Sequence, residues 1–328
     1  MYGYTIFHEK VVQQLIDSVR NGTVSHTYIF EGAEGMYKTE AAKLFANALV
    51  CQNPHSAPCG ECPACVEAQL NSCPDISFVQ HDLDSNGKPK KTIGVDAARD
   101  LVADVQKKPY ASKNKVYIIP DGENLTVEAQ NALLKTLEEP PEYAVFIIIV
   151  PAESLLLQTI ISRSVTVSFN AVPSDVIYNY IIKKYPQKAD TAKFITKYCE
   201  GVPGIADTLA NDDEFEDLRS KSLAMMLPLT SHSSNDAFKI RDFIEENKDK
   251  AHQIYEIWLS FVRDISVIQC GNLDAVINSD KIERLRQLCP RMDLKRCIHA
   301  AQLIVESEEM LARYVKSSAV ALRLALMF

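Results

Sequence analysis

The chain has 328 residues, of which 47% are hydrophobic and 24% are charged, which is typical of a soluble globular protein of two or three domains. A formal net charge of -8 argues against a protein that holds nucleic acid by overall electrostatic attraction. The longest apolar run, from Tyr143 to Val150, is too short to cross a bilayer, and no secretory signal pattern opens the chain. We therefore expect a cytoplasmic protein with no membrane association.

The first elements along the chain predict a strand, a loop and a helix in the order that a phosphate-binding loop requires. Apolar residues recur at helical spacing over residues 7–20, and Asn21-Gly22 gives a helix stop signal. HTYIF (26–30) is typical of a buried strand, and residues 38–50 of a helix. Between them, EGAEGMYKTE (31–40) resembles the pattern G-x-x-x-x-G-K-[ST].

This loop departs from the pattern at one position. Gly32, Lys38 and Thr39 stand where the pattern requires them, but Tyr37 replaces its second glycine. A side chain there crowds the phosphates and resists the positive φ that glycine adopts freely. We interpret the loop as degenerate. Lys38 and Thr39 could still attract an anion at the helix N-terminus, but we predict that they are vestigial for ATP.

A cluster of cysteines follows, with the spacing C-x7-C-x2-C-x2-C. Its members are Cys51, Cys59, Cys62 and Cys65. Four thiolates make a closed tetrahedral zinc site with no open position for catalysis. The cluster therefore predicts a structural zinc in an insertion of about residues 51–73, with Cys73 as a spare thiol and His55 as a weaker substitute ligand. The alternative is a set of buried or free thiols.

Strands and helices alternate over the rest of the N-terminal half, which predicts a parallel α/β sheet. The predicted strands lie at 75–80, 115–120, 143–150 and 165–169. The predicted helices lie at 95–107, at 126–141, where two prolines end the helix, and between the last two strands. Thr126 is a candidate helix cap, and Lys88, Lys90 and Lys91 form a basic cluster that we interpret as a solvated loop. From Pro173 onward the patterns are helical, and apolar residues around much of 251–268 predict a helix buried in a bundle.

NALLKTLEEPP (131–141) carries a resemblance to a known family, together with HTYIF, the four-cysteine insertion and ISRS (161–164). The chain resembles the clamp-loader subunits of bacterial DNA polymerase III, which are AAA+ proteins, and SSAVALRLALM (317–327) is similar to their closing helix. The resemblance covers essentially the whole chain. It implies an AAA+ α/β domain with the zinc-knuckle insertion at 1–170, a small helical lid domain at 171–212 and a C-terminal all-α collar domain at 213–328.

The resemblance also implies that the chain has lost the parts that hydrolyse ATP. Active subunits place an Asp-Glu pair after a hydrophobic strand to hold magnesium, whereas here Pro120 and Asp121 follow VYII. Active subunits also carry a sensor arginine where GVPGIA has Gly204. Together with Tyr37, these changes remove contacts to the phosphates and to magnesium. We expect no intrinsic enzyme activity, and neither ATP nor magnesium bound by this chain.

The resemblance implies that one residue with a catalytic role is retained. Arg163 matches the arginine of the family's S-R-C motif, which in the assembled ring projects into the ATP site of the neighbouring subunit, and Ser164 replaces the cysteine. An arginine supplied in trans can accelerate phosphoryl transfer by about 10³ to 10⁵. Without the resemblance, capping or local pairing of Arg163 is the simpler interpretation.

Three functional hypotheses remain at this point. The first is a non-hydrolysing subunit of a clamp-loader ring that also contains gamma/tau and delta subunits. This chain would supply Arg163 in trans, and ATP bound by the other subunits would drive loading of the sliding clamp onto primed DNA in replication. The alternative is a nucleotide-binding AAA+ ATPase subunit of the gamma/tau type. The third is a zinc-knuckle nucleic-acid binder, which is disfavoured because no basic residue lies between Cys51 and Cys65.

Overall fold

The computed structural model describes residues 7–79, 81–82, 90–231 and 233–328. Most of the predicted basic loop, including Lys88, therefore lies outside the described residues. The chain divides into two compact units. The first ends at Ile177 and also takes in Gly201–Ile205, and the second consists of Tyr178–Glu200 and Ala206–Phe328. The predicted domain boundaries at residues 170 and 212 stay predictions.

The first unit contains a five-stranded sheet in which every pair of neighbouring strands is parallel. The strands, numbered along the chain, are β1 (Thr27–Glu31), β2 (Ile76–Phe78), β3 (Lys115–Ile119), β4 (Ala144–Val150) and β5 (Val165–Ser168). Their order across the sheet is β2-β3-β4-β1-β5. β4 is buried along its whole length, as its unbroken apolar sequence predicts for a strand that is covered on both faces.

Helices of this unit cover both faces of the sheet. They are α1 (Glu9–Asn21), α2 (Lys38–Val50), α3 (Pro63–Gln69), α4 (Val95–Val105), α5 (Val127–Glu138) and α6 (Gln158–Ile161). Alternate residues of β3 belong to different cores: Val116 and Ile118 pack in the cluster with α1 and α2, whereas Tyr117 and Ile119 pack in the cluster with α4 and α5. The predicted parallel α/β sheet is confirmed.

α5 carries most of the motif on which the resemblance rests. The Thr126 side chain accepts a hydrogen bond from Ala129 N at 3.2 Å, so the predicted cap is confirmed. The helix ends at Glu138, earlier than the predicted residue 141. The reason is local, because Pro140 and Pro141 lack N–H donors and each disfavours helical geometry in the residue before it.

The remainder of the chain is helical within the described residues. Its helices are α7 (Ser174–Lys184), α8 (Ala192–Tyr198), α9 (Pro203–Asn211), α10 (Phe215–Leu229), α11 (Ser234–Glu246), α12 (Ala251–Gln269), α13 (Ile282–Leu288), α14 (Leu294–Ala312) and α15 (Ser317–Met327). Trp258 on α12 is fully buried, and its Nε1 donates to the Ser222 carbonyl at 2.9 Å. The predicted buried helix is confirmed. Among the described residues, no helix is both long and apolar enough to cross a membrane.

Candidate metal centre, phosphate loop and Arg163

The four predicted ligand cysteines meet beside the end of α2 and the start of α3. Cys51 directly follows α2, and Cys62 precedes the first residue of α3. All four Sγ atoms lie within 4.8 Å of one another, and the Sγ atoms of Cys59 and Cys65 are 3.9 Å apart. Zinc–sulfur bonds of about 2.3 Å in a tetrahedron place sulfurs roughly 3.8 Å apart. The arrangement could therefore hold a metal ion.

Backbone N–H groups around this cluster point at its sulfur atoms. Cys51 Sγ accepts from Asn53 N at 3.4 Å and from Cys59 N at 3.5 Å. The N–H groups of Glu61 and Cys62 lower the pKa of the Cys59 thiol to about 6. Burial instead raises the pKa of the thiols of Cys51 and Cys65. A bound cation would replace the protons of these buried thiols, and thiolate sulfur is a ligand that suits zinc.

Cys73, the spare thiol, is buried but does not belong to the cluster of four. His55 is exposed on a short 3-10 turn and is also not a member. The set that converges among the described residues is therefore the one that the spacing predicts, and neither substitute takes part.

The phosphate-like loop connects β1 to α2, with Lys38 as the first residue of the helix. The Lys38 ammonium donates to the carbonyl of Gly32 and, at 2.7 Å, to that of Ala33. Lys38 is 8% exposed, and burial lowers its pKa against the opposing charges of Glu123 and Glu34. The lysine that would reach a phosphate is thus hydrogen-bonded to its own loop.

Tyr37 adopts the left-handed conformation that the pattern assigns to glycine, with φ 56° and ψ 32°. This geometry costs a non-glycine residue roughly 1–2 kcal/mol. The Tyr37 ring stacks on Phe7 with a centroid separation of 5.7 Å and an interplanar angle of 8°. Tyrosine therefore adopts the backbone conformation that glycine favours, and its side chain packs against a neighbouring ring.

Gly204, at the position of the family's sensor arginine, packs directly on the same loop. Gly204 N donates to the Gly35 carbonyl at 2.9 Å. A Cβ atom at residue 204 would lie 2.7 Å from Gly35 Cα and 2.8 Å from Gly35 O. No side chain fits there unless the backbone moves, so an arginine at this position is incompatible with the observed loop.

The end of β3 lacks the pair of carboxylates that active subunits carry. Pro120 follows the last residue of the strand, and Asp121 comes next. An Asp121 carboxylate oxygen lies 2.9 Å from His81 Nε2. Proline provides no ligand atom in its side chain, and the neighbouring carboxylate is paired with an imidazole. Glu123, two residues after Asp121, is the carboxylate of this segment whose charge acts on Lys38.

Arg163 lies after α6, on the segment that leads into β5. Its Nη1 donates to Thr159 O at 3.0 Å and to Ser162 Oγ at 3.2 Å, and its Nη2 lies 2.9 Å from Glu138 Oε1. The arginine side chain is 38% exposed. Sequence reasoning missed the partner Glu138 because nothing in the spacing brings the ends of α5 and α6 together. Arg163 thus pairs locally and is also accessible from solvent.

Comparisons with known proteins match most of the chain. The family model for DNA polymerase III, delta subunit, matches residues 7–173, and a model for the C terminal part of that subunit matches residues 214–319. The DNA polymerase III subunit delta' of Bacillus subtilis (strain 168) is 30% identical over 281 residues, which cover 85% of this chain and 83% of that protein. The chain belongs to the DNA polymerase III delta' family. The four cysteines and Arg163 of this chain lie inside the segment that the first model matches.

About half of this delta' family member is also similar to other DNA polymerase III subunits. It is 39% identical over 170 residues to the DNA polymerase III subunit tau of Bacillus subtilis (strain 168), covering 52% of this chain and 29% of tau. The DNA polymerase III subunit tau/gamma of Haemophilus influenzae (strain ATCC 51907 / DSM 11121 / KW20 / Rd) is 33% identical over 174 residues, covering 53% of this chain and 24% of that protein. The chain therefore spans less than a third of these two relatives.

Proposed function

We propose that the chain is a non-hydrolysing, delta'-type subunit of a bacterial DNA polymerase III clamp loader. In this role it takes its place in a hetero-oligomeric ring with gamma/tau and delta subunits, in the cytoplasm, and supports ATP-driven loading of the sliding clamp onto primed DNA. Membership of the delta' family supports the assembly. The observation that carries the non-hydrolysing role is the packing of Gly204 on Gly35, which leaves no room at residue 204 for the sensor arginine of active subunits.

The geometry of the loop gives this proposal its physical basis. An incoming phosphate would have to displace Lys38 from the carbonyls of Gly32 and Ala33. Magnesium would meet Pro120 where a carboxylate is required. Displacing Lys38 and lacking a carboxylate ligand each make nucleotide binding less favourable than it is at an intact loop. We therefore infer that Lys38 and Thr39 are vestigial and that this subunit works through nucleotide held by its neighbours.

The four-cysteine cluster would bind zinc in a structural role. The four thiol groups fill a tetrahedral set, which leaves no position for substrate. When bound, the ion would cross-link the end of α2 to the start of α3. Because these segments otherwise form a loop-rich insertion, we infer that the metal contributes to the folding of the insertion.

Arg163 would act in trans as the arginine finger for a gamma/tau neighbour. Its guanidinium is accessible on the surface of the first unit, which an interaction with another subunit requires. A positive charge placed beside the transferred phosphoryl group stabilises the charge that develops in the transition state. In this proposal the chain contributes one charged group to a reaction whose nucleotide it does not bind.

The alternative, an ATPase subunit of the gamma/tau type, draws support from one specific observation. The identity with tau, 39% over 170 residues, is higher than the identity with delta' over the longer alignment. Against it, the tau alignment covers only about half of the chain, and Tyr37, Pro120 and Gly204 stand where the resemblance implies a glycine, a magnesium-binding carboxylate and a sensor arginine in an ATPase. The two functions differ in whether the isolated chain binds nucleotide.

The deciding experiment is a calorimetric titration of the isolated, zinc-loaded chain with Mg-ATP. We expect no binding up to millimolar nucleotide. The gamma/tau-type partner from the same organism, titrated in the same buffer, serves as the control that binds. Micromolar binding by this chain would overturn the non-hydrolysing role and favour the ATPase alternative.

A second experiment tests the role in trans. Arg163→Ala should leave the fold and ring assembly intact but slow DNA-stimulated ATP hydrolysis by the reconstituted complex, by about 10²-fold or more. Circular dichroism and size-exclusion chromatography check folding and assembly. Hydrolysis at the wild-type rate would remove the arginine-finger assignment.

A further inference from the structure

Glu138 and Arg163 form an ion pair that connects the last residue of α5 to the segment after α6. The distance from Glu138 Oε1 to Arg163 Nη2 is 2.9 Å. Two further acceptors hold the guanidinium, the Thr159 carbonyl and the Ser162 hydroxyl, and both bond to Nη1. Three groups from two regions of the chain therefore fix the plane of the guanidinium and the direction in which it points.

This arrangement leaves part of the guanidinium available. Arginine has five N–H donors. Nη1 donates hydrogen bonds to Thr159 O and Ser162 Oγ, and Nη2 lies 2.9 Å from Glu138 Oε1 in an ion pair. Among the described residues, the Nε–H has no hydrogen-bond acceptor, and such a donor can bind an oxygen atom of an anion. Glu138 thus contacts one side of the Arg163 guanidinium and does not use all of its N–H donors.

The pair is well suited to orienting a side chain and poorly suited to stabilising the fold. The side chains of Glu138 and Arg163 are 44% and 38% exposed, and ion pairs this open to water contribute little to stability. A free arginine side chain, in contrast, samples many rotamers, and ordering it opposes binding. An ion pair that orders the side chain in advance reduces that cost when a phosphate arrives.

We propose that Glu138 is a positioning residue for Arg163. It holds the guanidinium at the surface, where the N–H groups that it leaves unused are open to an anionic group of another molecule, namely the phosphoryl oxygens of a nucleotide bound by the neighbouring subunit. The inference rests on the proposed role of Arg163 in trans. It adds that the carboxylate at the end of α5 sets the geometry from which that arginine acts.

Three variants of the full-length chain, assembled into the reconstituted complex, test this role. Glu138→Ala removes the acceptor and should lower kcat for DNA-stimulated ATP hydrolysis by about threefold to tenfold while KM for ATP stays unchanged, because orientation acts on the chemical step. Glu138→Gln keeps an acceptor oxygen at the same place and should restore most of kcat. Glu139→Ala is the matched control, since Glu139 is exposed, has the same charge and makes no ion pair among the described residues.

A double-mutant cycle with Arg163→Ala separates the two levels of the proposal. If Arg163→Ala slows hydrolysis and Glu138→Ala has no further effect in that background, Glu138 acts through Arg163 as proposed. If Arg163→Ala slows hydrolysis but Glu138→Ala alone leaves kcat unchanged, the positioning role is wrong and the role in trans stands. If Arg163→Ala leaves the rate unchanged, the proposed function of Arg163 itself fails. An equal loss in Glu138→Ala and Glu139→Ala would indicate a general charge effect and would also overturn the positioning role.

Discussion

Lys38 shows how a residue can keep its place in a motif while its side chain makes different contacts. Its position satisfies the phosphate-binding pattern, yet its ammonium bonds to the carbonyls of Gly32 and Ala33. The sequence predicted a degenerate loop from Tyr37, on the argument that a side chain resists positive φ. The structure places Tyr37 at φ 56° all the same, with its ring stacked on Phe7. Tyrosine therefore adopts the positive φ, and the structure adds the side-chain contacts of Lys38 and Tyr37.

Gly204→Ala tests whether the packing of Gly204 on Gly35 prevents a side chain from being accommodated at residue 204. In a helix without such a contact, alanine is more favourable than glycine by about 1 kcal/mol. Here the added Cβ would lie 2.7 Å from Gly35 Cα, so we expect the free energy of unfolding to fall by about 1–3 kcal/mol. Urea unfolding measures the change. A stabilised variant would mean that the backbone yields at little cost and that the contact does not constrain residue 204.

Asp75 is a buried carboxylate, 1% exposed, that accepts three backbone N–H groups from the loop before β3. The donors are Tyr110 N at 2.6 Å, Ala111 N at 3.0 Å and Ser112 N at 2.9 Å. Burial by itself raises the pKa of this carboxyl, but the three donors outweigh it and the pKa is lowered. The charged form is thus favoured in the folded state.

Asp75→Asn removes the charge and places an amide near three donors. We expect a loss of about 1.5–3 kcal/mol in the free energy of unfolding at neutral pH. Because the folded pKa is lowered, this contribution is complete above the unfolded pKa of about 3.9 and is lost as pH falls through the folded value. The difference between variant and wild type should therefore shrink at acid pH. Asp100→Asn, an exposed position on α4, is the control, and an equal effect there would contradict the argument.

At the scale of elements, the apolar patterns and the glycine and proline stop signals in the sequence were enough to find the strands and most helices. The apolar runs gave β3 and β4, and Gly22 gave the end of α1, where it adopts φ 69°. The sequence also predicts that Pro140 and Pro141 end α5, and the helix ends at Glu138, just before them. The predicted helix between β4 and β5 is α6, whereas α3 carries too few residues for a periodic signal.

The cysteine insertion provides a test at this scale with a matched control. Cys65→Ser should abolish binding of about one zinc per chain, measured by elemental analysis, and should lower the thermal stability of the protein, since zinc sites of this type contribute on the order of 10 kcal/mol to folding. Cys73→Ser changes a buried thiol outside the cluster and should retain the metal. Purified wild-type protein without zinc, or equal zinc in both variants, would contradict the metal assignment.

For the molecule as a whole, charge decides between two of the functional hypotheses. The net charge is -8, and no Lys or Arg occurs between Lys43 and Lys88, a stretch that contains the entire cysteine insertion. Nucleic-acid binding depends on neutralising phosphates with such residues. A zinc module of this composition lacks the groups that would hold DNA unaided.

We therefore expect the isolated chain to show no saturable binding to primed DNA below about 100 µM at roughly 0.15 M salt. Fluorescence anisotropy with a labelled primer–template measures this, and the fully reconstituted loader serves as the positive control. Tight, salt-dependent binding by the isolated chain that is lost in Cys65→Ser would support the zinc-knuckle nucleic-acid hypothesis instead.

The sequence by itself determined the parallel α/β unit, the helical remainder, the four cysteines that converge, and the residues by which the phosphate loop departs from its pattern. These features are local, because they depend on periodicity, caps and short spacings. Only the tertiary structure decided that Lys38 bonds to its own loop, that Gly204 packs on Gly35 and that Glu138 holds Arg163. The last two join residues far apart in sequence, and the first depends on how the loop folds back. No spacing rule encodes such contacts, since packing of the whole unit brings their partners together.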